Sequence, residues 1–482
     1  LRNYSISSAS SMAFNGAVLF LVFGFLLFVH LGSSSVVLQL SYTLNKTHFP
    51  SIHHLLKSTA SHSIRRFRIR HLRNEPQRTT LSLSKTSAYT LSLTLATFPP
   101  QPVTLLMDTG SDLVWAPCEP FDCALCDDKD TPKPVLISSR TATKPPCNSP
   151  LCSAAHSWVP SSDLCAIAGC PLVSLEMSEC FGHPCPPFYY AYGDGSLVGR
   201  LFSNPISLPP VFFPNFTFAC SHSTLGEPAG VAGFGMGPLS LPAQLGEHFP
   251  GLGDSFSYCL VPHGFNFDAK LSTNGSSPLI IGRFDDIKRE QDDDVEEFVF
   301  APFLSNPKNP NFYTVSLEGV TIGGKSVPAP DIVSKINGKG TGGMVIDSGT
   351  TYTMLPSSFH FKIVSEFEKL MGGNHNRARD VEDSTGLKPC YYENGGGFEV
   401  PELAMSFAGK GILILPKENY FFEFEKRRKR VGCFMVIGIE ENEIDGGPAA
   451  IFGSYQQQGL EVVYDVQRKR VGFARRQCES LL

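Results

Sequence analysis

Residues 103–115 read VTLLMDTGSDLVW, and residues 343–355 read GMVIDSGTTYTML. In both, an apolar run leads into Asp, a hydroxyl residue, Gly and a second hydroxyl: Asp108-Thr109-Gly110-Ser111 and Asp347-Ser348-Gly349-Thr350. Apolar residues resume after each turn, as Leu113, Val114 and Trp115 and as Met354 and Leu355. Each copy is followed by an apolar-apolar-Gly element, Val231-Ala232-Gly233 after the first and Ile451-Phe452-Gly453 after the second. An internal repeat of this length predicts two related lobes.

The turn is physically legible. A short, partly β-branched apolar run makes a strand buried on both sides. Delivering an Asp into a core is costly unless its charge is hydrogen-bonded. Gly110 and Gly349 permit a tight turn whose backbone N–H groups approach the carboxylate. Ser111 and Thr350 add hydroxyl donors. A single copy reads as a buried Asx-turn. Two copies in a repeated context place both carboxylates at a pseudo-twofold axis. Two close carboxylates share a proton, so one is acid and the other base at one pH. A water between them attacks a carbonyl, while the protonated member donates to the carbonyl oxygen. That hydrolyses an amide without metal or cofactor.

The composition agrees with a mostly β globular chain. The 482 residues predict two to three structural units. A hydrophobic fraction of 42% excludes wholesale disorder. With 40 Lys+Arg against 45 Asp+Glu, the net charge of −5 argues against nucleic acid as a partner. The 43 Gly, 37 Pro and 37 Phe predict short strands and turns. Fourteen cysteines and the sequons at Asn45, Asn215 and Asn274 favour disulfides, glycosylation and a secretory compartment. Cys123-Ala124-Leu125-Cys126 is the one C-x2-C, with no second pair at finger spacing, so no metal is expected. His-Glu-x-x-His and Gly-x-Ser-x-Gly are absent from the sequence. Gly319 to Gly324 with Lys325-Ser326 mimics a phosphate loop, but Pro328 and Pro330 forbid the helix it needs, so it reads as a hairpin turn.

Ala17 to Leu31 is an apolar run followed by Gly32-Ser33-Ser34-Ser35. It reads as a signal peptide over 1–35 starting at Met12, a signal anchor being the alternative. Between Lys46 and Arg78 lie eight Lys/Arg, five His and one acid, Glu75. This block reads as a basic arm for membrane or nucleic acid, as a solvated tail, or, given the acidic cleft that the paired Asp turns imply, as a basic propeptide over 36–84 covering that cleft. The eight acids between Asp285 and Glu297 and the run Lys426–Arg430 read as solvated loops.

At the paired Asp turns the sequence resembles the pepsin-like aspartic proteases, and in its cysteines the plant branch that includes nepenthesins. The resemblance spans roughly Ala88 to Cys478. It implies a mostly β, bilobal fold, with an N-terminal lobe over 85–298, a C-terminal lobe over 299–482 and the cleft between them. It implies that Asp108 and Asp347 are catalytic, that Thr109 and Ser348 lock the two active loops, and that Ser111 and Thr350 bond the dyad. Phe188 to Ser196 resembles the flap, with Tyr192 as its tyrosine, Gly193-Asp194-Gly195 as its tip and Trp115 as the tyrosine's partner. By the same analogy the expected disulfides are Cys118–Cys123, Cys126–Cys220, Cys147–Cys185, Cys152–Cys180, Cys165–Cys170, Cys259–Cys478 and Cys390–Cys433. Gln456-Gln457-Gln458 and Val462-Val463-Tyr464-Asp465 look like the branch's C-terminal strands. Ala96-Thr97-Phe98-Pro99-Pro100 departs from the family's Gly-Thr-Pro-Pro, and Ser454 stands where Asn or Asp is usual. The implied function is a secreted aspartic endopeptidase, apoplastic, in the cell wall or vacuolar. It would be monomeric and without a stable membrane anchor, would act on extended peptides, and would be inhibited by its own propeptide. The alternative is an inactive binding protein on the same fold, like the glycosidase inhibitors or receptor-like glycoproteins.

Overall fold

The apolar run ahead of Asp108 folds as the strand Gln101–Asp108, and the one ahead of Asp347 as the strand Met344–Asp347. The computed structural model describes residues 35–43, 51–71, 88–126, 131–171, 173–174, 180, 182–192, 195–226, 228–250, 252–253, 255–262, 276–282, 297–373, 375–444 and 446–481. Along Gln101–Asp108, Val103, Leu105 and Met107 alternate into the core before Asp108 is itself buried. Each strand takes a parallel partner, and in register Asp108 lies opposite Gly233 and Asp347 opposite Gly453. Both glycines are required by space. A Cβ on Gly233 would strike the Asp112 backbone, and one on Gly453 the backbones of Tyr352 and Thr351. The repeat in sequence is therefore a repeat in structure, with the same crossed strands under each Asp turn.

The fold is mostly β, and its two halves repeat the same arrangement of strands around an Asp turn, the bilobal architecture that the resemblance implies. Thirteen described strands form one continuous sheet, and sheets of five, four and four strands complete the C-terminal half. One core cluster runs through both halves, with a second around Leu113, Trp115, Phe188 and Leu201. Helix Ser357–Met371 buries Phe359, Ile363, Val364, Phe367 and Met371 against the C-terminal half. Its N-terminus is capped from elsewhere in the chain. Glu441 accepts the Ser358 N–H at 2.8 Å and the Ser357 hydroxyl at 2.9 Å. Hydrogen bonds from the side chain and backbone of Ser358, joined by Ser357, hold its carboxyl down at about 2, from 4.5. The folded value is the lower one. The stabilisation is therefore fully present above about 4.5 and lost as pH falls through about 2. Glu441→Gln is expected to cost about 1 kcal/mol near pH 5, discounted for exposure. Thermal melts should show that difference vanishing near pH 2.

The basic block carries ordered structure. Val36–Thr43 is a strand wedged into the large sheet, pairing with Ser277–Ile281 on one side and Ala88–Leu95 on the other. Val36, Leu38 and Leu40 alternate inward. Residues Ile52–His71 form a helix of 20 residues whose Leu55, Leu56, Ala60 and Phe67 are buried. The run Lys426–Arg430 is a hairpin corner, with Lys426 opposite Lys429 and both central residues, Arg427 and Arg428, at positive φ. The phosphate-loop mimic is likewise a two-residue hairpin turn, at Gly323-Gly324. The acidic residues 285–296, and Asn45 and Asn274, lie outside the described residues; Asn215 is exposed on Val211–Leu225.

Five of the seven expected disulfides are corrected. In place of Cys118–Cys123 and Cys126–Cys220, the structure has Cys118–Cys220 and Cys123–Cys126. The strand Trp115–Ala124 pairs in parallel with Val211–Leu225, Ala116 lying opposite Cys220, so Cys118 reaches Cys220 across neighbouring strands. Leu125, at positive φ, turns the chain back so that Cys126 meets Cys123. In place of Cys147–Cys185, Cys152–Cys180 and Cys165–Cys170 stand Cys147–Cys165, Cys152–Cys185 and Cys170–Cys180. The short helices Pro150–Ala155 and Ser161–Ile167 decide this, placing Cys152 and Cys165 on different neighbours. Cys259–Cys478 and Cys390–Cys433 are present, the latter joining directly opposed residues of an antiparallel pair.

Candidate active site

Each Asp carboxylate is solvated by its own turn. Asp108 Oδ1 accepts the Gly110 N–H at 2.9 Å and Oδ2 the Ser111 hydroxyl at 2.7 Å. Asp347 Oδ1 accepts the Gly349 N–H at 2.9 Å and Oδ2 the Thr350 hydroxyl at 2.5 Å. Both carboxylates are buried, Asp108 at 3% exposure and Asp347 at 0%. Fixed donors replace the water each carboxylate loses, which is what lets an acid sit at the end of a core strand.

The two turns are bolted together by a reciprocal pair. The Thr109 N–H donates to Ser348 Oγ at 3.0 Å, and the Ser348 N–H to Thr109 Oγ1 at 2.9 Å. Each hydroxyl then donates across to the other strand, Thr109 to the Ile346 carbonyl at 3.1 Å and Ser348 to the Met107 carbonyl at 3.2 Å. The loops approach so closely that a Cβ on Gly349 would collide with Asp108 Oδ1. The geometry thus brings together all eight residues read from the two turns.

A cation lies between the carboxylates. Arg66 Nη2 stands 2.5 Å from Asp108 Oδ1 and 3.5 Å from Asp347 Oδ1. It projects from helix Ile52–His71, which is fixed on the C-terminal active loop by two further contacts. Thr59 Oγ1 pairs with the Tyr352 hydroxyl at 2.9 Å, and the Tyr352 N–H donates to Ser63 Oγ at 3.3 Å. Thr59, Ser63 and Arg66 follow helical spacing along one face. The sequence marks the block as basic but offers no local signal that Arg66, among eight cations, is the one that enters.

The hairpin read as a flap from the resemblance is present as a β-hairpin, with Tyr192 paired to Gly195 at its end. Gly193, Asp194 and the Tyr192 side chain lie outside the described residues. Trp115 is buried beneath this hairpin in the second core cluster. Asp112, unremarked in sequence, is also buried: it accepts from Asn311 Nδ2 at 3.0 Å and from the Tyr190 hydroxyl at 3.3 Å, tying the first loop to the flap strand and the opposite half. Ser454, the departure noted in sequence, still donates its N–H to the Thr350 carbonyl at 2.7 Å.

Comparison with known proteins gives a consistent result. Residues 89–283 match the family described as Xylanase inhibitor N-terminal, and residues 312–475 the one described as Xylanase inhibitor C-terminal. A protein of Arabidopsis thaliana named "Probable aspartyl protease" is 49% identical over 93% of this chain and 94% of its own. Aspartic proteinase nepenthesin-2 of Nepenthes gracilis is 29% identical over 81% of this chain and 78% of its own. Among solved structures, basic 7S globulin from soybean superposes with a TM-score of 0.58 at 20% identity, covering 93% of this chain and 99% of its own.

Proposed function

Because the chain belongs to the pepsin-like aspartic protease family of plants, we propose that it is the precursor of a secreted aspartic endopeptidase whose Asp108–Asp347 dyad hydrolyses extended peptides at acid pH. One observation carries this reading: a single nitrogen, Arg66 Nη2, touches Oδ1 of both carboxylates, so the two oxygens face one small site. With Arg66 withdrawn, a water takes that place. The ionised Asp removes its proton as it attacks the scissile carbonyl, while the protonated Asp donates to the carbonyl oxygen. The proton then passes to the leaving amine, and no covalent intermediate is needed. The flap hairpin clasps the extended substrate and excludes water. No cofactor is required.

The same contact supports self-inhibition. Strand Val36–Thr43 anchors the N-terminal segment in the large sheet, and helix Ile52–His71 sets Arg66 between the two carboxylates. Release of the helix requires the ion pairs of Arg66 with the two carboxylates to open. His53 adds a pH dependence to that release. Its ring packs on Phe424 at 5.4 Å, and burial, then Lys426 and His54, hold its pKa below the ordinary 6.5, Asp380 opposing. Protonation therefore favours the released helix: the seated state is favoured above about 6.5 and loses that contribution as pH falls. A His53→Phe precursor should need a lower pH for half-maximal self-processing than wild type. An unchanged or higher midpoint would exclude His53 from the switch.

The reading includes secretion to the apoplast, cell wall or vacuole, a monomeric state and glycosylation at exposed Asn215. No described helix is long and apolar enough to cross a membrane. A binding protein on the same fold is the second reading, favoured by the inhibitor descriptions of both family matches and the globulin neighbour. Digestion of denatured casein by the acid-processed chain, with Asp108→Asn alongside, separates the two. Cleavage abolished in the variant supports the protease, and intact casein with both proteins supports the binder.

A further inference from the structure

Behind the dyad lies a buried polar chain that the hydrolytic step does not use. Tyr464, on strand Leu460–Asp465, points its hydroxyl at Thr109 Oγ1, 3.4 Å away. That hydroxyl also sits 2.9 Å from the hydroxyl of Tyr258, which in turn donates to Gln457 Oε1. Gln457 Nε2 donates to the Phe452 carbonyl at 2.7 Å. Phe452 lies opposite Ile346 in the parallel pair under Asp347, and the Ile346 carbonyl accepts from Thr109 Oγ1. The contacts therefore close into a ring that passes beneath both catalytic turns. Every side chain in it is at most 1% exposed.

The proton inventory gives the ring a direction. Gln457 spends its amide N–H on Phe452, so its oxygen faces Tyr258, and the Tyr258 proton is committed there. The Thr109 hydroxyl proton is committed to Ile346. The Tyr464 proton then has two acceptors in reach, Tyr258 and Thr109, and bridges them. The rings are held by packing: Phe256 stacks on Tyr464 at 4.6 Å, and Tyr313 meets it edge-on at 4.5 Å. Tyr313 extends the support, donating to the Phe234 carbonyl at 2.9 Å, while the Phe234 N–H bonds the Asp108 carbonyl at 2.8 Å. Burial raises the pKa of Tyr258 and of Tyr464, with the charge on Asp347 adding to both shifts, so the pair stays neutral and feels the dyad.

We propose that Tyr464, Tyr258 and Gln457 are positioning residues, forming a hydrogen-bonded ring that holds Thr109, and through it the Asp108 turn, in register with the strand pair behind Asp347. This rests on the proteolytic reading of the site. The ring touches no substrate. It sets how closely the two carboxylates are held and hence how they share one proton.

The test compares the acid-processed wild-type chain with Tyr464→Phe, which keeps the stacked ring and removes only the hydroxyl, and with Tyr258→Phe. The readouts are kcat and KM on one peptide across pH 2–7, and the pH dependence of the melting temperature. For Tyr464→Phe we expect kcat to fall about tenfold with KM within about twofold, and a shifted pH–rate profile. A kcat and pH profile equal to wild type would overturn the proposal. So would a loss of kcat matched by the unfolded fraction with an unshifted profile. If Tyr464→Phe does not fold, Tyr258→Phe answers the same question. A wild-type chain that cleaves nothing sinks the proteolytic reading instead. In that event proton uptake, read from the melting curves, still decides the ring, because a positioning role predicts a shift between wild type and variant.

Discussion

Asp108→Asn in the acid-processed chain is expected to lower kcat/KM on denatured casein or a peptide by about 10³-fold or more, a loss of several kcal/mol in the barrier. The amide is nearly isosteric, and its oxygen still accepts the Gly110 N–H, so the fold should survive, as an unchanged melting temperature would show. What disappears is the shared proton. An amide neither ionises nor donates a carboxylic proton, so the pair ceases to contain an acid and a base together. Asp347→Asn should do the same, because the two turns are bonded alike. The double variant should be little worse than either single one, since the pair acts as a unit. A single variant with wild-type activity would place the chemistry elsewhere.

Arg66→Met in the precursor is expected to release the cleft at neutral pH. The substitution keeps an unbranched stem that fills the same space and removes only the charged head. Arg66 is buried against two carboxylates, and removing one partner of a buried ion pair costs roughly 3 kcal/mol or more. That corresponds to about a hundredfold change in the ratio of closed to open precursor. The variant should process itself, or cleave an added peptide, at a higher pH than the wild-type precursor, and should admit an active-site peptide ligand near pH 7, where the wild-type precursor admits none. Arg66→Lys, with one charge but a different shape, should fall between the two. Equal latency in wild type and Arg66→Met would mean that the helix blocks the cleft by bulk alone.

Much of the site was legible because its logic is local. Asp, hydroxyl, Gly, hydroxyl in four consecutive residues is a complete bonding pattern, and both copies realise it. The glycines of the second element were legible as a pattern, but their reason, the backbones of Asp112 and Tyr352 against them, is a tertiary fact. Arg66 was not legible, because its role depends on which face of a helix turns inward. The signal for that helix was present in Leu55, Leu56, Ala60 and Phe67, masked by the surrounding charge. The strand Val36–Thr43 was missed in the same way, although Val36, Leu38 and Leu40 alternate cleanly. The disulfides of the insert failed by analogy for a plain reason. Connectivity follows from which strands and short helices lie side by side, and one changed neighbour reassigns several bonds at once.

Helix Ile52–His71 is joined by a few residues to a strand woven into the body of the protein, and this has a bearing on dose. A blocker carried on the same polypeptide meets its target at an effective concentration in the millimolar range, however sparse the molecule itself becomes. Dilution alone should therefore never awaken the precursor, and self-release should follow first-order kinetics. A free peptide of residues 52–71 supplied from outside would have to approach that concentration to silence the processed enzyme.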